Sequence, residues 1–235
     1  MRDDKQRSRL FRLKVWGENA CFTRPEMKVE RVSYDVMTPS AARGILEAIL
    51  WKPAIQWHIT QIDVLNPIKW ESVRRNELGY VMSQESKGFF VDELKSDGRP
   101  KYRQQKASVI LRDVAYTIHA HFELTAKASA EDTVIKFTEM FLRRAEKGQN
   151  FHRPYLGCRE FAANFVPIRN GQPVPLPIQE SRDLGYMLRD VHHDNATYKY
   201  NQHHCNEKCT PQFFIARLVD GRITVPPLGS TEVRS

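Results

Sequence analysis

Residues 9–17, RLFRLKVWG, alternate polar and apolar side chains and stop at a glycine, which predicts a half-buried first strand. The following stretch, FTRPEMKVERVSYDV, has no clean helical period and reads as an extended loop or hairpin. At TPSAARGILEAILW the spacing becomes helical: Thr38 or Ser40 can cap free N–H groups, Pro39 suits a first turn, and Pro53 bars continuation. IQWHITQIDVL and IKWESVRRNEL return to alternation and predict a second and third strand. Residues 79–104 mix polar side chains with glycines and a proline, the composition of a long insertion or mobile hairpin. SVILRDVAYTIHAHFEL is rich in β-branched and aromatic residues and predicts one long strand, or two with a break near Asp113. AEDTVIKFTEMFLRRAEKG is the clearest helix, opened by acidic residues, closed by basic ones and followed by Gly148. Beyond about Ala162, FVPIRN, YMLRDV, FFIARLV and RITVPP are short, strand-like and punctuated by prolines.

Strands, helix, strands, helix, strand in this order suit an α+β fold with a ferredoxin-like half over residues 1–160, and residues 161–235 read as a smaller β-sheet region. A length of 235 residues is enough for one or two domains with a real core. No apolar run approaches the roughly 20 residues that cross a bilayer. MRDDKQRSRLFRLKVW lacks the apolar stretch of a secretory signal, so the expected location is the cytoplasm. Four cysteines spread over this length make no disulfide framework, and Cys21 and Cys158 are expected as reduced, buried side chains. A formal net charge of +8 points to a polyanionic partner, because cations that neutralise phosphates release condensed counterions.

The candidate chemistry follows from that charge. Arg24, Lys28, Arg31 and Arg43 are interleaved with Tyr34 just ahead of a helix N-terminus, where the helix dipole favours phosphate and an aromatic ring can stack on an unpaired base. A surface loop with incidental charge is the alternative. Arg74 and Arg75 adjoin on a predicted strand, so only one can share a given RNA face. Lys136, Arg143 and Lys147 recur near multiples of a helical turn and form either a basic binding face or a solvated one. His119 and His121 project from one strand face, as core or rim histidines or as catalysts. The run HHDNATYKYNQHHCNEKCTP, with His192, His193, His203, His204, Cys205 and Cys209, reads as a polar loop or a zinc clip, and no metal is assigned. G-x-x-x-x-G-K-[ST], H-E-x-x-H and G-x-S-x-G are all absent, which leaves NTPase, zincin and α/β-hydrolase readings without a foothold.

ACFTRPEMKVERVSYDVMTPSAARGILEAILWKPAI, followed by VRRNE, AHFEL, PYLGCREF and RDLGYML, closely resembles the CRISPR-associated Cas-five family of subtype I-C from about Leu10 to Leu188. The resemblance implies a modified ferredoxin-like (RRM-related) domain with a small antiparallel C-terminal sheet. It also implies cleavage of CRISPR repeat RNA without metal or other cofactor: the 2′-OH attacks the adjacent phosphate and leaves a cyclic phosphate and a 5′-OH. The subunit would then stay on the 5′ handle of the guide RNA, against the backbone and large subunits of the interference complex. An RNA-capping subunit that does not cut is the alternative. The family pattern places a Tyr or His before the Trp-Lys-Pro that ends the first helix and a Lys-His pair early in the second. Here those positions hold Leu50 and then Lys136 with Phe137. The expectation is that Lys136 supplies charge stabilisation, with His121, Tyr34 and His152 as candidates for proton transfer.

Overall fold

Alternation along β1 (Phe11–Ala20) sends Phe11, Leu13 and Val15 to one face, where all three are buried. β2 (Ile55–Val64) does the same with Ile55, Trp57 and Ile59, until a bulge between Ile59 and Gln61 resets the parity. Past it Ile62 and Val64 point to the core, while Gln61 and Asp63 join His58 on the opposite face. The coordinates are a computed structural model that describes residues 6–27, 29–79, 88, 90–193 and 209–234. Lys28, His203, His204 and Cys205 lie outside the described residues, as do the side chains of His192, His193 and Cys209 and residues 80–87 and 89 of the expected insertion.

The long apolar stretch is one strand, β4 (Arg103–Leu124), with two successive partners on the same edge. Its first half pairs with β3 (Trp70–Leu78) and its second half with β2, while β1 runs along the other edge. Asp113, at φ 54°, sits where the partner changes. Its backbone carbonyl accepts from Asn66 Nδ2 at 2.9 Å and its carboxylate from Lys69 Nζ at 2.8 Å, so the β2–β3 connection is tied down at the switch. β5 (Asn164–Ile168) adds to the free edge of β1 and β8 (Arg222–Thr224) to that of β2. The sheet order is β5-β1-β4-β2-β8, with antiparallel neighbours throughout. The expected C-terminal sheet is formed by β6 (Arg182–His193), β7 (Cys209–Leu218) and β9 (Val233–Arg234).

α1 (Pro39–Ile49) starts as its sequence dictates: the Thr38 hydroxyl accepts the Ala41 N–H at 3.3 Å and proline fills the first position. It stops at Ile49, where Leu50 turns to extended backbone (φ −146°) ahead of Pro53, and its last carbonyls find side-chain donors. Arg144 Nε donates to Ile49 O at 2.5 Å and the Trp57 indole N–H to Leu50 O at 3.0 Å. α2 (Val134–Glu146) is capped by Thr133, whose hydroxyl accepts the Lys136 N–H at 3.2 Å. Its Phe137, Phe141 and Ala145 recur every four residues and are buried. Phe141 meets Phe11 and Trp57 at ring separations of 5.0 and 4.8 Å, and Phe137 meets Phe122 at 6.4 Å. Both helices therefore cover the Phe11–Trp57–Phe122 face. Alternation leaves the other face polar, with Arg12, Lys14, His58, Gln61, Asp63, Thr117, His119, His121 and Glu123.

Candidate functional site

The basic segment is a hairpin: Arg24 N–H donates to Val32 O at 2.9 Å around a 3₁₀ turn at Pro25–Met27, and Ser33 N–H donates to Val109 O at 3.0 Å on β4. Its arginines are held by carboxylates. Arg24 donates to Asp35 at 3.0 Å and lies 4.6 Å from the Tyr34 ring centroid. Arg31 pairs with Glu160 at 2.8 Å and Glu77 at 3.5 Å, and Arg75 shares both acids while donating to Ser108 Oγ at 3.2 Å. Arg43 grips Asp190 at 2.8 and 3.0 Å and Glu47 at 2.7 Å, which fastens α1 to β6. Tyr34 is 2% exposed and its hydroxyl accepts the Leu188 N–H at 3.3 Å, so its ring packs in the core and offers no face to a base. Arg74 and Arg143 are exposed and, among the described residues, have no carboxylate at ion-pair distance. Arg74 points away from Arg75, as strand alternation requires.

Arg43→Ala would leave Asp190 without its cation in a partly buried seam. The expected cost is about 2 kcal/mol, read from the urea midpoint, with Arg43→Lys restoring less than half because a lysine cannot make the two-pronged contact.

An open cavity of about 250 Å³ lies at the N-terminus of α1, lined by Thr23, Thr38, Ser40, Gly44 and Tyr155 among others. Hydroxyls and a helix N-terminus give it the donor character that phosphate oxygens require.

On the polar sheet face the two histidines of TIHAH divide. His119 lies 2.8 Å from the Asp63 carboxylate, which also accepts from Gln61 Nε2 at 2.6 Å. Burial pushes the Asp63 carboxyl up, but these hydrogen bonds outweigh it and hold the group below its ordinary value. His119 is thereby a structural partner. His121 instead stacks on His58, its register partner on β2, at 5.2 Å and 15°. Arg7 Nη2 is 3.4 Å from His121 Nδ1, and Glu123 reaches His121 Nε2 at 3.6 Å and His58 Nε2 at 3.9 Å. Arginine can only donate, so Nδ1 of the neutral ring accepts and the ring proton sits on Nε2, toward Glu123. Burial first, then the charges of Arg7 and His58, lower His121 to about 4 against the pull of Glu123. The result is two imidazoles, one carboxylate and one guanidinium converging on a rim.

This arrangement carries a stability signature. Between about 6.5 and about 4, unfolded His121 binds a proton that the folded ring refuses, so stability rises with pH across that window and is complete above it. Lowering the pH through it should remove about 2 kcal/mol once solvent screening of this ring at the rim reduces the roughly 3 kcal/mol of the full shift, and His121→Gln should remove most of that dependence in urea titrations.

Lys136 stands elsewhere. Its Nζ donates to Asp132 at 3.0 Å, 5.6 Å from the Phe137 ring centroid, with its side chain 45% exposed. Phe122, which contacts Phe137, is the neighbour of His121 in β4, so Lys136 and His121 lie on opposite faces of the sheet and one phosphate cannot meet both. Leu50 and Phe137 are 3% and 2% exposed in the same apolar core. His152 is exposed after α2, with its ring 6.1 Å from that of Tyr155. Sequence reasoning missed His58 and Arg7, whose significance comes only from pairing across the sheet.

Residues 10–226 match the Cas5d family, described as CRISPR-associated protein Cas5. A protein of Mannheimia succiniciproducens named CRISPR pre-crRNA endoribonuclease Cas5d is 51% identical over 233 residues, covering 95% of this chain and 98% of that one. A protein of the same name from Thermus thermophilus is 42% identical over 223 residues, 92% of this chain and 91% of its own. Among solved structures, a CRISPR-associated protein superposes with a TM-score of 0.69 at 22% identity, and a functionally uncharacterized protein of Streptococcus mutans with 0.65 at 22%; each pairing covers 99% of this chain and all of the other. At that identity the two structures bear on the α+β fold alone.

Proposed function

The chain belongs to the CRISPR-associated Cas5d family, and from that premise we propose that it is a pre-crRNA endoribonuclease that cuts CRISPR repeat RNA without metal. The observation that carries this reading is the 51% identity to a named pre-crRNA endoribonuclease over nearly the full length of both chains. The chain order β1-α1-β2-β4-α2-β5 is read as a modified ferredoxin-like unit with β3 inserted; residues 1–160 form most of this RNA-binding part, and residues 161–235 supply its edge strands β5 and β8 as well as the smaller sheet of β6, β7 and β9.

Cleavage by 2′-OH attack needs a base, an acid for the leaving oxygen and a cation for the charge that builds on phosphorus. The polar rim holds candidates for all three. Arg7 turns from His121 to the phosphate and frees Nδ1 to take the 2′-OH proton. His58 supplies a proton to the 5′-oxygen, and Glu123 orients both rings. Lys136, on the far face, meets phosphates outside the reacting centre. Arg74 and Arg143 contact the RNA backbone, while Arg24, Arg31, Arg43 and Arg75 reach it by exchanging a carboxylate for a phosphate. After cutting, the protein remains in the cytoplasm on the guide's 5′ handle, beside the backbone and large subunits of the interference complex.

Incubating the protein with its repeat transcript in EDTA and mapping the ends tests this. One cut leaving a 2′,3′-cyclic phosphate is expected, and cutting that requires added metal would refute it. The burial of Leu50 and Phe137 favours a second reading, a subunit that caps the guide RNA without cutting; tight binding of intact repeat RNA in the same assay would establish it.

A further inference from the structure

Two cysteines that RNA chemistry does not use are brought together below the basic hairpin. The segments that carry them are paired through backbone: Cys21 N–H donates to Leu156 O at 3.0 Å. Gly157 permits the approach, since it sits at φ 83° and a Cβ there would fall 2.1 Å from Cys21 O. Cys158 Sγ is 3.5 Å from that same carbonyl oxygen, and the Thr23 hydroxyl touches both sulfurs, at 3.5 Å for Cys21 and 3.8 Å for Cys158. Arg31 Nη1 lies 3.6 Å from Cys158 Sγ. Cys21 is 1% exposed, whereas Cys158 is only partly buried.

The two thiols are unequal. A hydrogen bond from Cys21, helped by Thr23 and in smaller part by Arg31, and opposed by burial and by the charge of Glu160, holds the Cys158 thiol well below the ordinary range; the same bond, with burial, pushes Cys21 up. A thiolate that solvent can reach beside a guanidinium, with a protonated thiol in contact, is the arrangement in which one cysteine is attacked and the other resolves.

We propose that Cys21 and Cys158 are a dithiol site oxidised by hydroperoxides to a reversible disulfide. In the first step the Cys158 thiolate attacks the nearer peroxide oxygen. The S–O bond forms, the O–O bond breaks, sulfur is oxidised to a sulfenic acid, and the departing oxygen takes a proton to become water. In the second step Cys21 sulfur attacks the sulfenic sulfur, the S–S bond forms, and hydroxide leaves as water with the Cys21 proton. Two thiols and one hydrogen peroxide thus give one disulfide and two waters. The bond ties the end of β1 to the loop that carries Glu160 and removes the thiolate from Arg31, which keeps its carboxylates.

The test is peptide mapping of the full chain after brief treatment with hydrogen peroxide and alkylation of remaining thiols. The expected product is the Cys21 peptide joined to the Cys158 peptide, about 2 Da lighter than the two thiols together and separated again by dithiothreitol. The oxidised chain should also melt roughly 5 °C higher or more. Arg31→Gln should slow bond formation roughly threefold or more by raising the Cys158 thiol. Sulfinic acid on Cys158 with Cys21 still free, or no reaction at either, would overturn the proposal, and an unchanged rate in Arg31→Gln would remove the guanidinium from it. None of these readouts depends on RNA cleavage.

Discussion

Replacing His121 with alanine should slow single-turnover cleavage of the repeat transcript by roughly 10²- to 10⁴-fold while affinity changes less than about threefold. The expectation comes from position. His121 is neutral near pH 7 because burial, Arg7 and His58 hold it at about 4, so its lone pair is available where the 2′-OH needs a base. The same depression makes it a weak base in the free protein. A phosphate beside Arg7 adds negative charge and raises His121 toward the range in which proton transfer is efficient. His58→Gln should lose a similar factor and Glu123→Gln a smaller one, since the carboxylate orients and does not react. Lys136→Ala should instead leave the rate of bound RNA nearly unchanged and lower the salt slope of binding by about one, as expected for a single phosphate contact. If Lys136→Ala abolished cutting and His121→Ala did not, the centre would lie at the N-terminus of α2.

Gly157→Ala should cost more than about 3 kcal/mol and lower the melting temperature by roughly 6 °C or more. At φ 83° any side chain strains the backbone, and here the added carbon would also fall 2.1 Å from Cys21 O and 3.0 Å from Phe22 Cδ1. The chain must retreat, which breaks the Cys21–Leu156 hydrogen bond and loosens the base of the hairpin. Gly44→Ala is the internal control. It lies within α1 with nothing within 4 Å of an added carbon, so alanine should stabilise the helix by up to about 1 kcal/mol. Equal losses from both substitutions would mean that glycine content in general, and not this contact, sets the cost.

Periodicity was enough for the elements themselves. Thr38, Pro39 and Gly148 signalled helix ends where ends are found, and the alternating stretches became strands; Thr133, the cap of α2, is obscured by the acidic residues before it, which read as the opening. Asp113 was legible as a break, but not as the place where β4 exchanges β3 for β2, because pairing is not written in local alternation. The bulge after Ile59 was equally hidden, and it alone puts Gln61 and Asp63 on the face of His58. The partners of the arginines were not legible. Net charge counts cations without their partners, and Asp190 lies 147 residues from Arg43, as Glu160 lies 129 from Arg31. Tyr34 looked like a stacking aromatic and is a core ring with a hydrogen-bonded hydroxyl. His119 and His121 share one sequence pattern and differ only in what faces them: Asp63 beside the first, His58 and Arg7 beside the second.

The most direct measurement is histidine NMR of the protein with a repeat transcript made uncleavable by a 2′-deoxy sugar at the mapped cut. The His58 and His121 signals should shift on binding, and the His121 midpoint should rise from about 4 by roughly one unit or more as the phosphate arrives. Unmoved His58 and His121 signals, with perturbation confined to the start of α2 around Lys136, would contradict a reacting centre on the polar face of the sheet.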